Sequence, residues 1–292
     1  MFKNFFKNKK VLVTGNTGFK GSWLTTWLLQ LNANVIGYSN SILTNPSLFQ
    51  QLGLENSIKQ YFKDIRNRTE LMDVLKKERP EIIFHLAAQA IVSESYINPL
   101  ETISSNVMGT SNLLDVLKDL NYDCTCILIT SDKAYENVEQ LWGYNEESRL
   151  GGKDIYSSSK SAADIIIRSF FYSFFKSSKS KTKIAVGRAG NVIGGGDWSV
   201  NRIVVDAVKA WSKNKPVIIR APNATRPWQH VLEPCGGYLS LAYKLSLNDK
   251  LNGQAFNFGP KPDQDETVLN LLLNLSDMWG LNRKDDIYSI AD

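Results

Sequence analysis

The chain contains little cysteine and histidine, with three cysteines and two histidines in 292 residues. Cys124 and Cys126 alternate along a predicted strand and Cys235 stands alone, so we expect buried thiols in a reducing cytoplasm rather than a metal site. The two histidines, His85 and His230, are too few for a histidine-rich metal centre. The composition therefore predicts no metal cofactor.

Long apolar runs and concentrated positive charge are also missing. The most apolar segment, 165–175, is interrupted by Arg168 and is too short to span a bilayer. The first residues carry no small-residue cleavage site, so no signal peptide is predicted. The net charge of +5 is mild, and the most basic run, 176–183, is rich in serine. We therefore expect no membrane span, no nucleic-acid partner and a cytoplasmic protein.

Apolar residues make up 43% of the chain, and their runs alternate between strand and helix patterns. Alternation of this kind predicts an α/β fold, a doubly wound parallel sheet with helices on both faces. After Arg188 a run of three glycines and several prolines breaks the pattern into short pieces. We assign the sheet to residues 1–187 and a smaller substrate-binding region, partly interleaved with it, to residues 188–292. The predicted strands cover 10–14, 34–38, 81–85, 125–130 and 183–187, and the predicted helices cover 22–31, 70–77, 106–120 and 156–175.

Three regularly spaced glycines, Gly15, Gly18 and Gly21, follow the first predicted strand and open the first predicted helix. Glycine lets the backbone turn tightly and approach a pyrophosphate, which is held at the helix N-terminus. The spacing differs from the commoner G-x-G-x-x-G. The order of strand, glycine turn and helix nevertheless predicts a Rossmann-type dinucleotide site.

The residues after the second strand indicate which dinucleotide binds. An acidic side chain commonly bonds the ribose hydroxyls of NAD at this point, whereas this chain has Ser39 and Asn40. No arginine stands nearby to hold the 2′-phosphate of NADP, so NAD is favoured. Either Ser39 or Asn40 could bond the ribose. Asp64 and Ile65 could contact the adenine, or they form a surface turn.

Tyr156 and Lys160 lie four residues apart on a predicted helix and therefore share one face. An ammonium near a phenol favours the phenolate, so we expect Lys160 to lower the pKa of Tyr156. Tyr156 could then take the proton of a substrate hydroxyl while hydride leaves the same carbon. This spacing is common by chance. Its place after the glycine loop favours catalysis over a packed tyrosine and a solvated lysine.

Ser131, Asp132 and Lys133 close the strand predicted over 125–130. Ligands of open α/β sheets bind outside the carboxyl ends of the strands, so we expect these side chains in the same pocket. Ser131 could hydrogen-bond the oxygen of the oxidised carbon. Asp132 and Lys133 could act as acid and base, which plain oxidation of an alcohol would not need. The alternative is a strand-end turn with two solvated charges.

Seven stretches that span nearly the whole chain resemble the extended short-chain dehydrogenase/reductase family, and within it the CDP-glucose 4,6-dehydratases. They are TGFKGSWL (17–24), HLAAQ (85–89), NVMGT (106–110), TSDKAYEN (130–137), YSSSK (156–160), RAGNVIGGGDW (188–198) and ATRPWQHVLEP (224–234). The resemblance implies NAD as the cofactor. The implied cofactor-binding residues are Gly15, Thr17, Gly18, Phe19, Gly21, Asp64, Ile65, Leu86, Ala87, Ala88, Gln89, Asn106, Tyr156 and Lys160.

The resemblance also implies a mechanism. Tyr156 takes the proton of the sugar 4-hydroxyl while hydride moves from C4 to NAD⁺; a base then removes the C5 proton, the 6-hydroxyl leaves as water, and hydride returns to C6. Asp132 matches the acid. Lys133 stands where related dTDP-glucose enzymes have glutamate, and a neutral lysine could be the base only if its pKa is depressed.

The implied substrate is a nucleotide-sugar, held by Asn191, Arg202 and Arg226, although a surface ion pair is the alternative for each arginine. The predicted reaction is the dehydration of CDP-D-glucose to CDP-4-dehydro-6-deoxy-D-glucose. A 4-epimerase and a weakly active cofactor-binding relative are the alternatives. Relatives continue beyond residue 292, so an incomplete sugar site is expected. They also pair the helices at 106–120 and 156–175 across a two-fold axis, which implies a homodimer or a dimer of dimers.

Overall fold

The computed structural model describes residues 2–261, 266–281 and 284–291, and it is built around a parallel sheet. These residues form thirteen strands, some of them only two residues long. The strands are β1 Lys10–Thr14, β2 Asn34–Ser39, β3 Lys59–Phe62, β4 Ile82–His85, β5 Cys124–Ile129, β6 Thr182–Ala189, β7 Val192–Ile193, β8 Val217–Ile219, β9 Thr225–Arg226, β10 Gln229–His230, β11 Ala255–Phe258, β12 Glu266–Thr267 and β13 Tyr288–Ile290.

Helices lie between most of the strands. They are α1 Phe19–Gln30, α2 Leu48–Gln51, α3 Arg68–Glu78, α4 Val92–Ile97, α5 Pro99–Ile103, α6 Gly109–Leu117, α7 Ile155–Phe170, α8 Ile203–Trp211, α9 Leu232–Leu247, α10 Val268–Trp279 and α11 Lys284–Ile287. Wider π-helical turns precede α6 and follow α7, at Ser104–Met108 and Phe171–Phe175. The helices predicted over 106–120 and 156–175 are therefore each part α-helix and part π-helix.

Seven strands form one parallel sheet in the order β3-β2-β1-β4-β5-β6-β11. The chain order reverses at β1, where Thr14 pairs with Tyr38 of β2 on one side and with His85 of β4 on the other. The loops that follow β1 and β4 therefore diverge and leave a crevice at the carboxyl edge. The predicted doubly wound parallel sheet is confirmed.

Both faces of the sheet are covered by helices, which explains the continuous apolar runs of the central strands. All residues of β4 and β5 are buried. One core lies between the sheet and helices α1 and α9, and it includes Leu28 and Leu239. The other core lies under α3, α6 and α7, and it includes Leu75, Leu113 and Ile167.

A smaller region with its own core is attached to the carboxyl edge. There α8, β8, α10 and β13 enclose a third cluster around Trp211 and Leu272. The sequence-based boundary at residue 187 falls within β6, and α9 and β11 return the chain to the main sheet. The segment 285–288 contributes to the short α11 and β13.

The three cysteines are buried free thiols, as the sequence predicts. Within the described ranges, no helix has both the length and the apolar content that crossing a bilayer requires. No cluster of three side chains suited to a metal ion occurs in that same part of the chain.

Candidate active site

The glycine loop connects β1 to α1 at the crevice. Gly15 has a φ of 71°, a conformation that other residues rarely adopt. A Cβ on Gly21 would lie 2.1 Å from the Gly15 carbonyl oxygen, and a Cβ on Gly15 would lie 2.8 Å from the Ala87 amide nitrogen. No side chain caps α1, so its first amides, from Phe19 onward, are available to a phosphate. The loop therefore fits a dinucleotide, as predicted for Gly18 and its neighbours.

One of the two candidate ribose ligands is already bonded within the protein. Ser39 Oγ donates to Asn16 Oδ1 at 2.9 Å and accepts from the Thr17 amide at 3.4 Å. Thr17 Oγ1 in turn donates to the Ser41 carbonyl at 2.7 Å. Asn40 is exposed at the end of β2. Asn40 is therefore the better of the two candidates for a ribose hydroxyl.

Asp64 and Ile65 follow β3 at the same edge of the sheet. Hydrogen bonds from Arg66 lower the pKa of the Asp64 carboxyl, and the two side chains form an ion pair at 2.5 Å. Ile65 is buried, and a Cβ on Gly109 would lie 2.6 Å from its Cγ2. The Asn112 amide donates to the Arg66 carbonyl at 2.8 Å. These contacts hold the loop at the crevice edge, where an adenine contact remains a prediction.

Asn106 joins the loop 86–89 to helix α7. Its Oδ1 accepts from the Gln89 amide at 2.8 Å, and its Nδ2 donates to the Gln89 carbonyl at 3.1 Å and to Ser159 Oγ at 2.9 Å. Ser159 Oγ donates to the Tyr156 carbonyl at 2.7 Å. Both amide hydrogens of Asn106 are therefore used within the protein. Asn106 thus braces this loop, and its predicted contact with the cofactor stays a prediction.

His85, at the end of β4, lies in a directed chain of hydrogen bonds beneath the crevice. Thr110 Oγ1 donates to the Asn106 carbonyl at 2.7 Å, so it accepts from His85 Nε2 at 3.1 Å. His85 Nδ1 then accepts from Thr14 Oγ1 at 2.8 Å, and Thr14 Oγ1 itself accepts from the Ala87 amide at 3.1 Å. Burial lowers the pKa of His85 to about 3, so the ring is neutral. This histidine positions the loop after β4.

Tyr156 and Lys160 lie on the first two turns of α7, and both are buried. Burial, together with the nearby Asp132 carboxylate, raises the pKa of the Tyr156 phenol to about 12. Arg202 and Ser131 lower the pKa of the phenol, but by less than the other groups raise it. The lowered tyrosine pKa expected from the sequence is therefore wrong for the protein itself, because loss of hydration outweighs nearby positive charge. Burial also lowers the pKa of Lys160 to about 8.

Ser131 caps the short turn that follows β5. Its Oγ accepts from the Lys133 amide at 3.2 Å and donates to Asp132 Oδ1 at 3.0 Å. Burial raises the pKa of Asp132, and the positive charge of Lys133 opposes this. A Cβ on Gly190 would lie 3.2 Å from Asp132 Oδ2, so the carboxyl lies against the end of β6. The Asp132 carboxylate is near enough to the Tyr156 phenol to raise its pKa, and the Ser131 hydroxyl, which donates to Asp132, also acts on that phenol.

A buried ion pair supports this turn from below. Arg188 donates to both oxygens of Asp164, at 2.8 Å from Nε and 2.7 Å from Nη2. Thr130 Oγ1 donates to Asp164 Oδ2 at 2.9 Å, and Arg188 Nη1 donates to Tyr135 Oη at 2.8 Å. Tyr135 Oη donates to Asn257 Oδ1 at 2.7 Å. The network thus ties the residues on both sides of the Ser131 turn to α7, β6 and β11.

The three residues predicted to hold the substrate line one cavity of about 740 Å³ in the smaller region. Asn191 precedes β7, Arg202 precedes α8 and Arg226 ends β9. Pockets of this size accommodate small organic ligands. Tyr156 is not part of the lining, but the charge of Arg202 acts on its phenol. Arg202 therefore lines the cavity and is also near enough to Tyr156 for its charge to act on the phenol.

Three buried N–H groups of the cavity lining have no hydrogen-bond acceptor within the described chain. They belong to Trp198, Arg202 and Trp228. An unpaired buried donor costs about 1–3 kcal/mol, so such groups are rare without a purpose. Three such unpaired donors around one cavity indicate a ligand rich in hydrogen-bond acceptors, as phosphates and sugars are.

Comparison with known proteins agrees with this geometry. Residues 12–251 match the sequence model described as GDP-mannose 4,6 dehydratase. The chain belongs to the GDP-mannose 4,6-dehydratase family. The CDP-glucose 4,6-dehydratase of Salmonella typhimurium is 43% identical over 281 residues, which cover 95% of this chain and 78% of that protein. The family resemblance stated from the sequence is confirmed.

Two solved structures illustrate the shared fold. A dTDP-glucose 4,6-dehydratase from Bacillus anthracis, in complex with NAD, has a TM-score of 0.79 at 21% identity, over 97% of this chain and 85% of that one. A UDP-glucose 4-epimerase from Thermotoga maritima, with UDP-glucose, has a TM-score of 0.81 at 23% identity, over 97% and 86%. The fold is thus common to dehydratases and epimerases, and the side chains must distinguish them.

Sequence reasoning missed several members of this site. Trp198 and Trp228 were named only within the stretches that carry the resemblance; the signal that could have found them is the indole N–H, a hydrogen-bond donor that each tryptophan offers. Lys20 was counted only as a spacer within the glycine loop. It lies close enough to Asp132 for each charge to shift the pKa of the other group.

Proposed function

We propose that this protein is a NAD-dependent hydro-lyase that converts CDP-D-glucose to CDP-4-dehydro-6-deoxy-D-glucose and water. One observation carries the proposal: the Ser131 hydroxyl at the end of β5 donates to the Asp132 carboxyl at 3.0 Å and also acts on the Tyr156 phenol. Removal of water from a sugar needs such an acid, whereas oxidation of an alcohol does not. The cytidine nucleotide is inferred from the similarity to the Salmonella enzyme.

The cofactor proposal depends on groups that fit NAD. Gly15 and Gly21 leave space for a pyrophosphate at the open end of α1, and Asn40 is exposed for a ribose. The buried Lys160 ammonium makes no hydrogen bond to other described residues and is available to the second ribose. NAD⁺, when bound, accepts hydride from C4 and returns it to C6, and its positive ring favours the phenolate.

Tyr156 is proposed as the base for the first step. The phenol must lose its proton to act, and the Asp132 carboxylate opposes this because like charges repel. A protonated Asp132 removes that opposition. The two roles are therefore compatible: the form of Asp132 that can donate a proton to the leaving group is also the form that favours the Tyr156 phenolate.

Asp132 is proposed as the acid for loss of water, and Lys133 as the base that removes the C5 proton. Removal of the C5 proton leaves an electron pair that forms the C5–C6 double bond while the C6–O bond breaks. The departing hydroxyl takes the Asp132 proton and leaves as water. Burial raises the pKa of Asp132, which keeps its proton available. Lys133 is partly buried on the same turn, directly beside the acid.

The C5 proton that Lys133 takes returns to C5 once hydride has reached C6, and the Ser131 hydroxyl closes the remaining proton balance. Tyr156 gains the proton of the sugar 4-hydroxyl, and Asp132 loses one to the departing water. Ser131 Oγ donates to Asp132 Oδ1 at 3.0 Å and also interacts with the Tyr156 phenol. A hydroxyl is both donor and acceptor, so Ser131 can pass the proton of Tyr156 to Asp132 between turnovers.

The cavity of the smaller region is proposed to hold the nucleotide part of the substrate. Arg202 and Arg226 would pair with the diphosphate, whose oxygens suit the planar guanidinium, and Asn191 would bond the sugar. The Trp198 and Trp228 N–H groups supply further donors. We also propose residues 188–292, apart from α9 and β11, as the substrate region, because they contain this cavity and the third core.

The test is an incubation of the protein with CDP-glucose and NAD⁺, followed by alkali, in which a 4-keto-6-deoxy sugar absorbs and an epimerised sugar does not. We expect absorbing product from CDP-glucose and little from the UDP, dTDP and GDP sugars. An epimerised or unchanged sugar in every incubation would refute the proposal.

Two variants assign the steps. Tyr156→Phe should stop the first oxidation, with a loss of about 100-fold or more. Asp132→Asn should leave cofactor binding intact and block water loss, again by about 100-fold or more. An Asp132→Asn enzyme of normal activity would remove Asp132 from the role of acid.

We further propose that the protein is a cytoplasmic homodimer that pairs through the end of α4, through α5 and α7, and through the π-helical turns that follow α5 and α7. An apolar strip on these elements is exposed, and exposed strips of this kind are typical of contact surfaces. The strip consists of Ile97, Leu100, Ile103, Met108, Ile165, Tyr172 and Phe174. Light scattering after size exclusion should give a dimer for the wild type and for Leu247→Asp, which changes an exposed leucine elsewhere, and a monomer for Leu100→Asp. A Leu100→Asp dimer would contradict this surface.

A further inference from the structure

A run of three glycines, Gly194, Gly195 and Gly196, forms part of the wall of the cavity in the smaller region. The run directly follows β7, and we call it the glycine wall. Glycine has no side chain and loses more backbone freedom on folding than any other residue, so side chains of its own cannot stiffen the wall. The conformation of the glycine wall therefore depends on the elements that contact it.

The glycine wall contacts the first turns of α1, the helix whose N-terminus fits the cofactor pyrophosphate. Trp23 lies one turn into α1, and its indole Nε1 donates to the Gly195 carbonyl at 3.0 Å. A Cβ on Gly194 would lie 3.2 Å from Cζ of Phe19, the first residue of α1. Of these two contacts, the hydrogen bond from Trp23 is directional and therefore fixes the position of the Gly195 carbonyl.

Two more contacts enclose the glycine wall. Gly196 has a φ of 83°, and a Cβ there would lie 2.5 Å from Leu48 Cδ1, so α2 also packs directly against the backbone. The Trp23 indole packs edge-to-face on the His230 ring, with the centroids 6.1 Å apart. His230 pairs with Ile193 where β10 runs beside β7. Trp23 thus contacts both the residues that follow β7 and the partner strand of β7.

The segment 194–202 joins the two sides of the cofactor crevice. At its far end, Asn201 Nδ2 donates to Ser93 Oγ at 2.9 Å, and Arg202 Nη2 donates to the Ala90 carbonyl at 3.4 Å. Ala90 and Ser93 follow β4, whereas α1 follows β1. The chain after each of these two strands flanks the crevice, so the segment that lines the cavity is attached to both sides of the cofactor site.

We propose that Trp23 couples the two ligand sites: its hydrogen bond holds residues 194–202 against α1, so that bound NAD and bound nucleotide each increase the affinity of the protein for the other. The inference rests on the proposed function, which puts NAD in the crevice and the nucleotide in the cavity. Trp23 acts through the backbone of the glycine wall and is therefore a positioning residue.

The physical cause of the coupling is conformational entropy. NAD held at the N-terminus of α1 orders Phe19 and the turn that follows, and with them the Trp23 indole and the glycine wall. A nucleotide that enters the cavity then loses less entropy on binding, because the wall that it contacts is already ordered. Thermodynamic linkage makes the increase in affinity equal in both directions.

The experiment measures a coupling factor, the Kd of CDP without NAD⁺ divided by the Kd of CDP with saturating NAD⁺, by isothermal titration calorimetry. We expect a factor of about tenfold in the wild type, the amount that one neutral hydrogen bond can supply. Trp23→Phe keeps an aromatic ring and removes the N–H donor, so its factor should fall below about twofold. The Kd of NAD⁺ alone should change by less than about twofold, because the glycine loop is untouched.

The matched control is Trp27→Phe, the same change one turn further along α1. A Cβ on Gly236 of α9 would lie 3.1 Å from Trp27 Cη2, so this indole packs on α9 instead of the glycine wall. Trp27→Phe should keep the coupling factor of the wild type. If Trp23→Phe does not fold, Leu48→Ala replaces it, because that change loosens the same wall at Gly196.

A second readout needs no nucleotide. In hydrogen exchange followed by mass spectrometry, NAD⁺ alone should slow exchange of the backbone amides of 194–202 in the wild type and in Trp27→Phe, but not in Trp23→Phe. Equal coupling factors in the wild type and Trp23→Phe overturn the inference, as does exchange in 194–202 that NAD⁺ leaves unchanged. An equal loss of coupling in Trp27→Phe also overturns it, since that pattern is a general loosening of α1.

Failure of this inference can be told apart from failure of the proposed function. A wild type that binds CDP and NAD⁺ cooperatively but makes no 4-keto-6-deoxy sugar refutes the dehydratase and supports the coupling. A wild type that makes the product with a coupling factor of about one refutes the role of Trp23 alone.

Discussion

Removing the carboxylate of Asp164 should destabilise the protein more than almost any other single charge deletion. The Asp164 side chain is 4% exposed and that of Arg188 is 5% exposed. Asp164 accepts two hydrogen bonds from Arg188 and one from Thr130. Asp164→Ala leaves a guanidinium and a hydroxyl buried without this acceptor. Loss of one partner of a buried pair costs about 3–5 kcal/mol.

Thermal unfolding, followed by calorimetry or dye fluorescence, measures this cost. A loss of about 3–5 kcal/mol corresponds to a fall in Tm of roughly 10 °C for a chain of this size. The control is Asp123→Ala, because Asp123 pairs with Lys181 at 3.5 Å but is 88% exposed. An exposed pair contributes about 0–1 kcal/mol, so the control should lose little.

A double variant separates buried charge from lost packing. Asp164→Leu combined with Arg188→Met removes both charges and keeps most of the volume, so it should be more stable than Asp164→Ala. Equal melting temperatures for Asp164→Ala and Asp123→Ala would refute the reasoning. Such a result would mean that the Arg188 guanidinium hydrogen-bonds to water or to another acceptor once the carboxylate has been removed.

Two further predictions concern the cofactor site. Gly21→Ala should abolish measurable NAD binding in a fluorescence titration, because its Cβ would lie 2.1 Å from the Gly15 carbonyl oxygen, whereas Gly18→Ala, at 3.4 Å, should bind; equal affinities would contradict the close approach. Folding lowers the pKa of Lys160 from 10.5 to about 8, so its burial costs stability below about pH 8 and the cost disappears as the pH rises towards 10.5. Lys160→Met should therefore be more stable than the wild type by about 3 kcal/mol at neutral pH, with a difference in Tm that shrinks above about pH 8; a less stable variant would contradict this.

The strands of the sheet could be predicted where the sequence carries a continuous apolar run. β1, β4, β5 and β6 are buried on both faces, which is the cause of that pattern. β11 was missed because it is a partly exposed edge strand that pairs only with β6, far away in the sequence. Its signal lies in tertiary pairing rather than in local composition.

Helix α9 was missed for a different reason. It contains Pro234 and the consecutive glycines Gly236 and Gly237, which disfavour a helix. A Cβ on Gly237 would lie 2.3 Å from the Phe258 ring, and one on Gly236 would lie 3.1 Å from Trp27. The glycines are present because the helix packs tightly against the sheet and α1, and such packing has no local sequence signal.

The candidate site, like the fold, could be predicted only in part from the sequence. The spacing of Tyr156 and Lys160 on one helix and the place of Asp132 after a strand were enough to expect them in one pocket. The sign of the Tyr156 pKa shift was wrong because burial cannot be judged from spacing. Lys20 was missed because its contact with Tyr238 joins residues far apart in the sequence.

The transfer of label from C4 to C6 tests the central claim most directly. CDP-glucose deuterated at C4 should yield a 4-keto-6-deoxy product that carries the deuterium on C6, because one enclosed pocket oxidises C4, expels the 6-hydroxyl and returns the same hydride. Proton NMR and mass spectrometry of the product would show it. Deuterium retained at C4 of a sugar that keeps its 6-hydroxyl, or lost to solvent, would contradict the account.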